Sequence, residues 1–254
     1  SVKRMEELLE PKPQIVACDM HPSYNTRAAA EEMGLPVFLV QHHYAHILSC
    51  MAENEWTTEK RVIGVSFDGT GYGTDGTIWG GEILLADYDS FTRWGCIEPF
   101  AQTGGDASAK EGWRIAVSLL GKIYGKENAL LIIETLGLCE PKLAKLQFTM
   151  EERGINTVQS TSAGRLFDAV SAILDIRKSS TFEGEASTSL QFAAEKWLDA
   201  QKKKIAGSED FAESGIITDY GELKSISDVA QKSVVEKNNS INRNIKADLY
   251  YLPT

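Results

Sequence analysis

The chain has 254 residues, 43% hydrophobic and 24% charged, enough for one sizeable core or two small lobes. A formal net charge of −10 argues against a surface built to grip nucleic acid. No apolar run reaches the roughly 18–20 residues of a membrane span, and the N-terminus has no signal-peptide pattern. Cys18, Cys50, Cys96 and Cys139 stand far apart with no C-x-x-C pair, which points to reduced thiols in the cytoplasm rather than a disulfide framework or zinc knuckle.

Residues 14–18 read as a short buried strand, stopped by Asp19, His21 and Pro22. Asn25 or Thr26 is expected to cap a helix through Met33, ended by Gly34 and Pro36. The next strand is 37–40, and a helix follows from His42 to about Asn54, with Ile47, Leu48 and Met51 as its apolar stripe. A polar connector over 53–60 suggests a lobe boundary, with 1–58 part of a first lobe and 59–254 a second. Beyond it, 62–67 and 77–86 read as the strands of a hairpin, joined by a glycine-rich turn from Asp68 to Gly76, and 91–97 as a third strand. From Ala107 the pattern becomes helical: 110–124, 127–136, 141–153, 164–174 and 184–204. The segment from Ala206 is polar and weakly periodic, and is expected to be poorly packed.

His42 and His46, in Gln41-His42-His43-Tyr44-Ala45-His46, carry the strongest chemical signal. Four residues apart on a helix, their imidazoles share a face and can reach one cation. Asp68, at a strand end, is the natural carboxylate partner, and two imidazoles with one carboxylate suit Zn or Fe(II) with positions left open. The competing account is that these histidines only cap and pack. Three of four histidines within five residues weigh against it. His43 points elsewhere on the helix and is expected to meet substrate.

Gly69, Thr70, Gly71 and Tyr72 could present backbone N–H groups and a hydroxyl to phosphate oxygens. The turn is no Walker A loop, since it lacks G-K-[ST] and leads into a strand. Gly104, Gly105 and Asp106 read either as a turn with an N-cap aspartate or as a ribose contact. Arg165 and Asp168 are a surface ion pair or part of a nucleotide site. Glu183 and Gly184 open a helix and suit an adenosine contact. Trp79 and Trp113 are expected in the core.

In order, the segments H-P-S-Y, V-Q-H-H-Y-A-H-I, F-D-G-T-G-Y-G-T-D-G-T-I-W-G-G-E, G-G-D-A-x-x-x-E-x-W-R, G-R-L-F-D-A-V and F-E-G-E-A resemble the C-terminal carbamoyltransferase region of the HypF hydrogenase-maturation family, from about residue 14 to 195. The resemblance implies an α/β, two-lobed actin/Hsp70-like (ASKHA, ribonuclease H-like) ATPase fold. It implies His42, His46 and Asp68 as metal ligands, His43 and Asp68 as catalytic, and the glycine-turn and helix-opening residues above as the site for ATP and carbamoyl-adenylate. Mg is a further candidate ion. The carbamoyl group, made into carbamoyl-adenylate from carbamoyl phosphate and ATP by an upstream domain, would pass to the C-terminal cysteine of a HypE-like acceptor protein. The attacking thiolate then comes from the partner, so the chain's own cysteines need not be catalytic.

The family's N-terminal hairpin, its S-G-G-x-x-x-N segment and its later Asp-Gly-Gly are not found, so the fold is expected to be incomplete at both ends. The chain alone is expected to bind nucleotide weakly and not to complete the reaction. Related readings are threonylcarbamoyl transfer to tRNA, carbamoyl transfer to a sugar hydroxyl, and a non-catalytic binding module. The acidic balance and Trp79-Gly80-Gly81-Glu82 favour carbamoyl transfer to a protein thiol over transfer to tRNA.

Overall fold

The computed structural model describes residues 2–9, 12–57 and 60–206, so the expectation of a poorly packed tail after Ala206 lies outside the described residues. The chain divides into two compact units, Ser1–Ile97 and Glu98–Thr254. The connector over 53–60 falls inside the first.

In the first unit a helix that sequence patterning did not reveal, α1 (Val2–Leu9), precedes β1 (Val16–Asp19). α2 (Asn25–Glu32) then leads to β2 (Val37–Val40), which pairs parallel to β1 with Asp19 opposite Val40. Tyr24 is the N-cap of α2 and makes no side-chain cap bond, so neither Asn25 nor Thr26 caps it. Gly34, at φ 65°, takes the left-handed turn that ends the helix. α3 (His42–Glu53) starts from Gln41, whose side chain accepts a hydrogen bond from the Tyr44 backbone N–H. That cap satisfies one of the orphan donors of the first turn.

The rest of the unit is antiparallel. β3 (Val62–Tyr72) pairs with β4 (Ile78–Ala86), and β5 (Phe91–Cys96) pairs with β4. Tyr44, Ile47 and Met51 of α3 join Trp79, Leu84 and Ala86 in one buried cluster, with Leu48 half-buried at its margin. The helical stripe and the alternation of β4 thus meet in a common core.

β3 corrects the expected turn. The strand does not end at Phe67 but runs on to Tyr72, and the hairpin closes over residues 73–77, where the Gly73 N–H donates to the Thr77 carbonyl. Between the pairs Phe67–Gly81 and Gly71–Trp79, β3 has three residues, 68–70, where β4 has one. Asp68, Gly69 and Thr70 therefore form a bulge inside a strand. Such a bulge re-aims side chains out of the regular pleat.

The second unit contains β6 (Phe100–Thr103) and β7 (Thr157–Ser160), antiparallel and both unforeseen. A 3₁₀ turn, Gly105–Ala109, leads to α4 (Gly112–Tyr124), then α5 (Lys126–Thr135), α6 (Pro141–Glu152), α7 (Ala163–Ile173) and α8 (Glu185–Ala206). Phe100, Trp113, Ile115, Val117, Leu120, Ile133 and Phe148 are the larger members of its core. Trp79 and Trp113 are buried in their respective clusters, as expected of core residues. α4 and α7 touch closely at Gly112, where a methyl group would stand 2.6 Å from the Asp168 carbonyl oxygen.

Candidate metal centre

One turn of α3 and the bulge of β3 face each other in the first unit. The helix presents His42 and His46, and the bulge presents Asp68. His42 Nε2 lies 2.7 Å from Asp68 Oδ2, His46 Nε2 lies 3.2 Å from His42 Nε2, and His46 Nε2 lies 3.7 Å from Asp68 Oδ2. One donor atom from each residue lies within 4.8 Å of the other two.

The donor set fits a divalent ion. Two ligands at ~2.0–2.1 Å from one ion and at a tetrahedral angle stand about 3.3 Å apart. The three separations bracket that value. Three lone-pair atoms aimed into one space also repel unless a proton or cation sits among them, and imidazole with carboxylate suits Zn or Fe(II).

The surroundings fix the ligands. Asp68 Oδ1 accepts from the Gly69 backbone N–H at 2.6 Å. Burial alone would raise the Asp68 carboxyl, but the Gly69 N–H and His42 outweigh it and hold it below its ordinary range. The carboxylate is therefore ionised and available as a ligand across the neutral range. On the far side of His42, Nδ1 faces Asp19 Oδ2 at 3.5 Å.

Gln41 joins helix to strand. Its Nε2 donates to the Tyr72 carbonyl at 3.2 Å and lies 3.1 Å from His43 Nδ1, while its Oε1 accepts from Tyr44. That acceptor role fixes the amide orientation, so Gln41 donates to His43 Nδ1 and the His43 proton sits on Nε2. Among the described residues Nε2 has no hydrogen-bond partner. Burial, followed by the neighbouring charge of His42, lowers the His43 pKa, so its ring is neutral. It is fully buried, with the Trp79 ring 6.4 Å away, and so does not stand open to solvent where substrate was expected.

Gly71 is explained by this packing. A methyl group there would stand 2.4 Å from His43 Cε1. At Gly69 an added methyl group would meet nothing within 4 Å among the described residues. The Thr70 hydroxyl donates to the Gly69 carbonyl at 2.5 Å, and the half-buried Tyr72 ring meets His21 edge-on at 4.9 Å. The hairpin tip is held by Asp75, which accepts from Thr77 and from Trp79 Nε1 and pairs with Arg93. Arg93 lies over the Trp79 ring at 4.1 Å and pairs with the fully buried Glu82 at 2.7 Å.

The remaining candidates lie in the second unit. Gly104, at φ 115°, packs beneath the Arg114 side chain, and Gly105, at φ 57°, beneath Asn156, with Asp106 exposed in the first turn of the 3₁₀ segment. Arg165 and Asp168 are not a surface pair: Nε and Oδ2 stand 2.8 Å apart, with 12% and 6% of the side chains exposed. Burial raises the Asp168 pKa against the opposing pull of Arg165. Gly184, at φ 78°, precedes α8, and Glu183 beside it is exposed. The turn is closed by Glu185, which accepts from the backbone N–H and hydroxyl of Thr181. Sequence reasoning missed Asp19 and Gln41. Asp19 was read only as a strand stop, yet an acid at a strand end beside the strand that launches a histidine helix is a usable signal.

Comparison with known proteins decides the family. Residues 64–248 match the family model described as "Carbamoyltransferase, Kae1-like Domain, second subdomain", and residues 1–53 match "HypF Kae1-like domain". The chain belongs to the HypF family. It is 38% identical over 200 residues to carbamoyltransferase HypF of Rhodobacter capsulatus, covering 74% of this chain and 25% of that protein. It is also 38% identical over 186 residues to the probable carbamoyltransferase HypF of Methanocaldococcus jannaschii, covering 72% of this chain and 24% of that one. The chain thus spans about a quarter of these relatives. A crystal structure of full-length HypF in its phosphate- and nucleotide-bound form superposes with a TM-score of 0.67 at 36% identity, over 74% of this chain and 24% of that one. The expected α/β class of HypF Kae1-like domains, the actin/Hsp70-like kind, holds. Among the described residues no helix is long and apolar enough to cross a membrane.

Proposed function

We propose that the chain forms the metal-holding part of a carbamoyl-transfer centre in a HypF-type protein of NiFe hydrogenase maturation. The substrate would be carbamoyl-adenylate, made from carbamoyl phosphate and ATP by an upstream domain of the longer protein. The acceptor would be the C-terminal cysteine thiol of a HypE-like protein, met in the cytoplasm. The observation that carries this reading is the convergence of His42, His46 and Asp68 in a member of this family.

A divalent ion held there, Zn or Fe(II) with Mg as a further candidate, would supply Lewis-acid polarisation of an acyl or phosphoryl oxygen. The chain's own residues do the rest. The Nε2 atoms of His42 and His46 and the Asp68 carboxylate hold the ion. The space beside Gly69, where an added side chain would meet nothing within 4 Å among the described residues, is the candidate for substrate. The partner's thiolate forms the C–S bond as the bond from carbonyl carbon to phosphate oxygen breaks, and AMP carries away the electron pair. His43, buried and neutral, meets the His42 ring edge-on at 5.3 Å and acts by keeping that ligand in place. In the second unit the exposed Asp106 and Glu183, with the turns at Gly104, Gly105 and Gly184, are the candidates for nucleotide contact. Arg165 and Asp168, held as a buried pair, are further candidates there.

The test is metal content followed by transfer. The purified chain should hold about one Zn or Fe per molecule, lost in His42→Ala, His46→Ala and Asp68→Ala. The same substitutions in a full-length family protein should abolish movement of labelled carbamoyl onto the acceptor's cysteine. Full metal content and full transfer in all three variants would overturn the reading.

A further inference from the structure

His42 has a carboxylate on each side of its ring. Asp68 faces Nε2, the nitrogen turned toward the other donors, and Asp19 faces Nδ1 at 3.5 Å. Asp19 is itself held rigidly: its other oxygen, Oδ1, accepts the His21 backbone N–H at 2.7 Å, closing a turn where β1 ends. Only 18% of its side chain is exposed. An imidazole offers one nitrogen to a cation only when the proton resides on the other. A fixed anion beside Nδ1 gives the proton a place on that nitrogen once a cation takes Nε2, and it orients the ring.

We infer that Asp19 is the positioning residue that makes His42 a ligand through Nε2, forming a carboxylate–imidazole relay toward the ion. The inference rests on the metal reading above. β1 thereby contributes to the centre without offering a ligand of its own. The aspartate that ends the strand becomes part of the site rather than a break in the pattern.

The experiment measures Zn affinity of the 254-residue chain by competition with a chromophoric chelator, for the parent, Asp19→Ala, Asp19→Asn and His42→Ala. Asn keeps an oxygen to accept the His21 N–H, so it preserves the turn while removing the charge. Both Asp19 variants should bind Zn at the parent stoichiometry but about ten- to a hundred-fold more weakly. In the Zn-loaded parent, imidazole ¹⁵N spectra should show His42 ligated through Nε2 with a slowly exchanging Nδ1 proton. That slow exchange should be lost in Asp19→Asn, a change that a merely structural role would not produce. Parent-like affinity and proton exchange in both Asp19 variants, with binding abolished in His42→Ala, would overturn the relay alone. Parent-like binding in His42→Ala would overturn the metal reading and the relay together.

Discussion

Replacing Gly71 with alanine tests the packing behind the ligand helix. The new methyl would stand 2.4 Å from Cε1 and 2.9 Å from Nδ1 of His43, and 3.1 Å from His42 Cβ. His43 cannot yield easily, because it is fully buried and Gln41 holds its Nδ1. Overpacking of this kind costs about 1–3 kcal/mol. Gly71 has no positive φ, so alanine also removes freedom from the unfolded chain and recovers about 0.4–1 kcal/mol. The net expectation is a loss of about 1–2 kcal/mol, or a melting temperature lower by roughly 2–8 °C for a chain this size. Urea denaturation of Gly71→Ala, His43→Ala and the double variant gives a clean answer. Removing the ring vacates the space the methyl needs, so the double variant should be more stable than the sum of the single losses by about 1 kcal/mol. Additive losses, within the usual ~0.3–0.5 kcal/mol, would refute the contact as the cause.

Other outcomes follow from the same geometry. Arg93→Ala should cost about 3–5 kcal/mol, because Glu82 is fully buried against it, and should change Trp79 fluorescence; a loss under about 1 kcal/mol in a denaturation curve would contradict this. Gly112→Ala should destabilise by about 1–3 kcal/mol, since the Asp168 carbonyl 2.6 Å away is backbone and cannot rotate aside; calorimetry decides. Asp87 is pulled down to about 2, first by Arg61 and then by the Ser90 backbone N–H. Its folded value lies below its ordinary 3.8, so its stabilisation is present above that value and disappears as pH falls through about 2. Carboxyl NMR should find that midpoint, and Arg61→Ala should move it toward the ordinary value.

Apart from α1, the helices were legible because their periods and stops agree. For α3 the apolar positions 47, 48 and 51, and the strand before it, mark both face and start. The grouping of His42, His46 and Asp68 was legible in part: helical spacing puts the rings together, whereas the acid is brought near by a bulge inside β3 and not by the strand end expected of it. The bulge was not, because Asp-Gly-Thr-Gly-Tyr-Gly has the composition of a turn, while the pressure for glycine at 71 comes from His43, far away in sequence. β6 and β7 escaped notice because Gln102, Thr103, Gln159 and Ser160 give four-residue strands no apolar alternation to read. Nor does sequence distinguish a surface Arg165–Asp168 pair from a buried one, since burial there depends on the packing of α7.

The donors of the triangle are anchored in two different ways. Both histidines ride on one helical turn whose N-cap, Gln41, is tied to the opposite strand, so their mutual distance is set by backbone pitch. Asp68 stands on the irregular stretch, at unequal distances from the two rings. An incoming ion would meet two jaws of different make, one spaced by the helix and one clamped through Asp68 Oδ1 by the neighbouring N–H. Choice among metals then falls to ligand chemistry and supply.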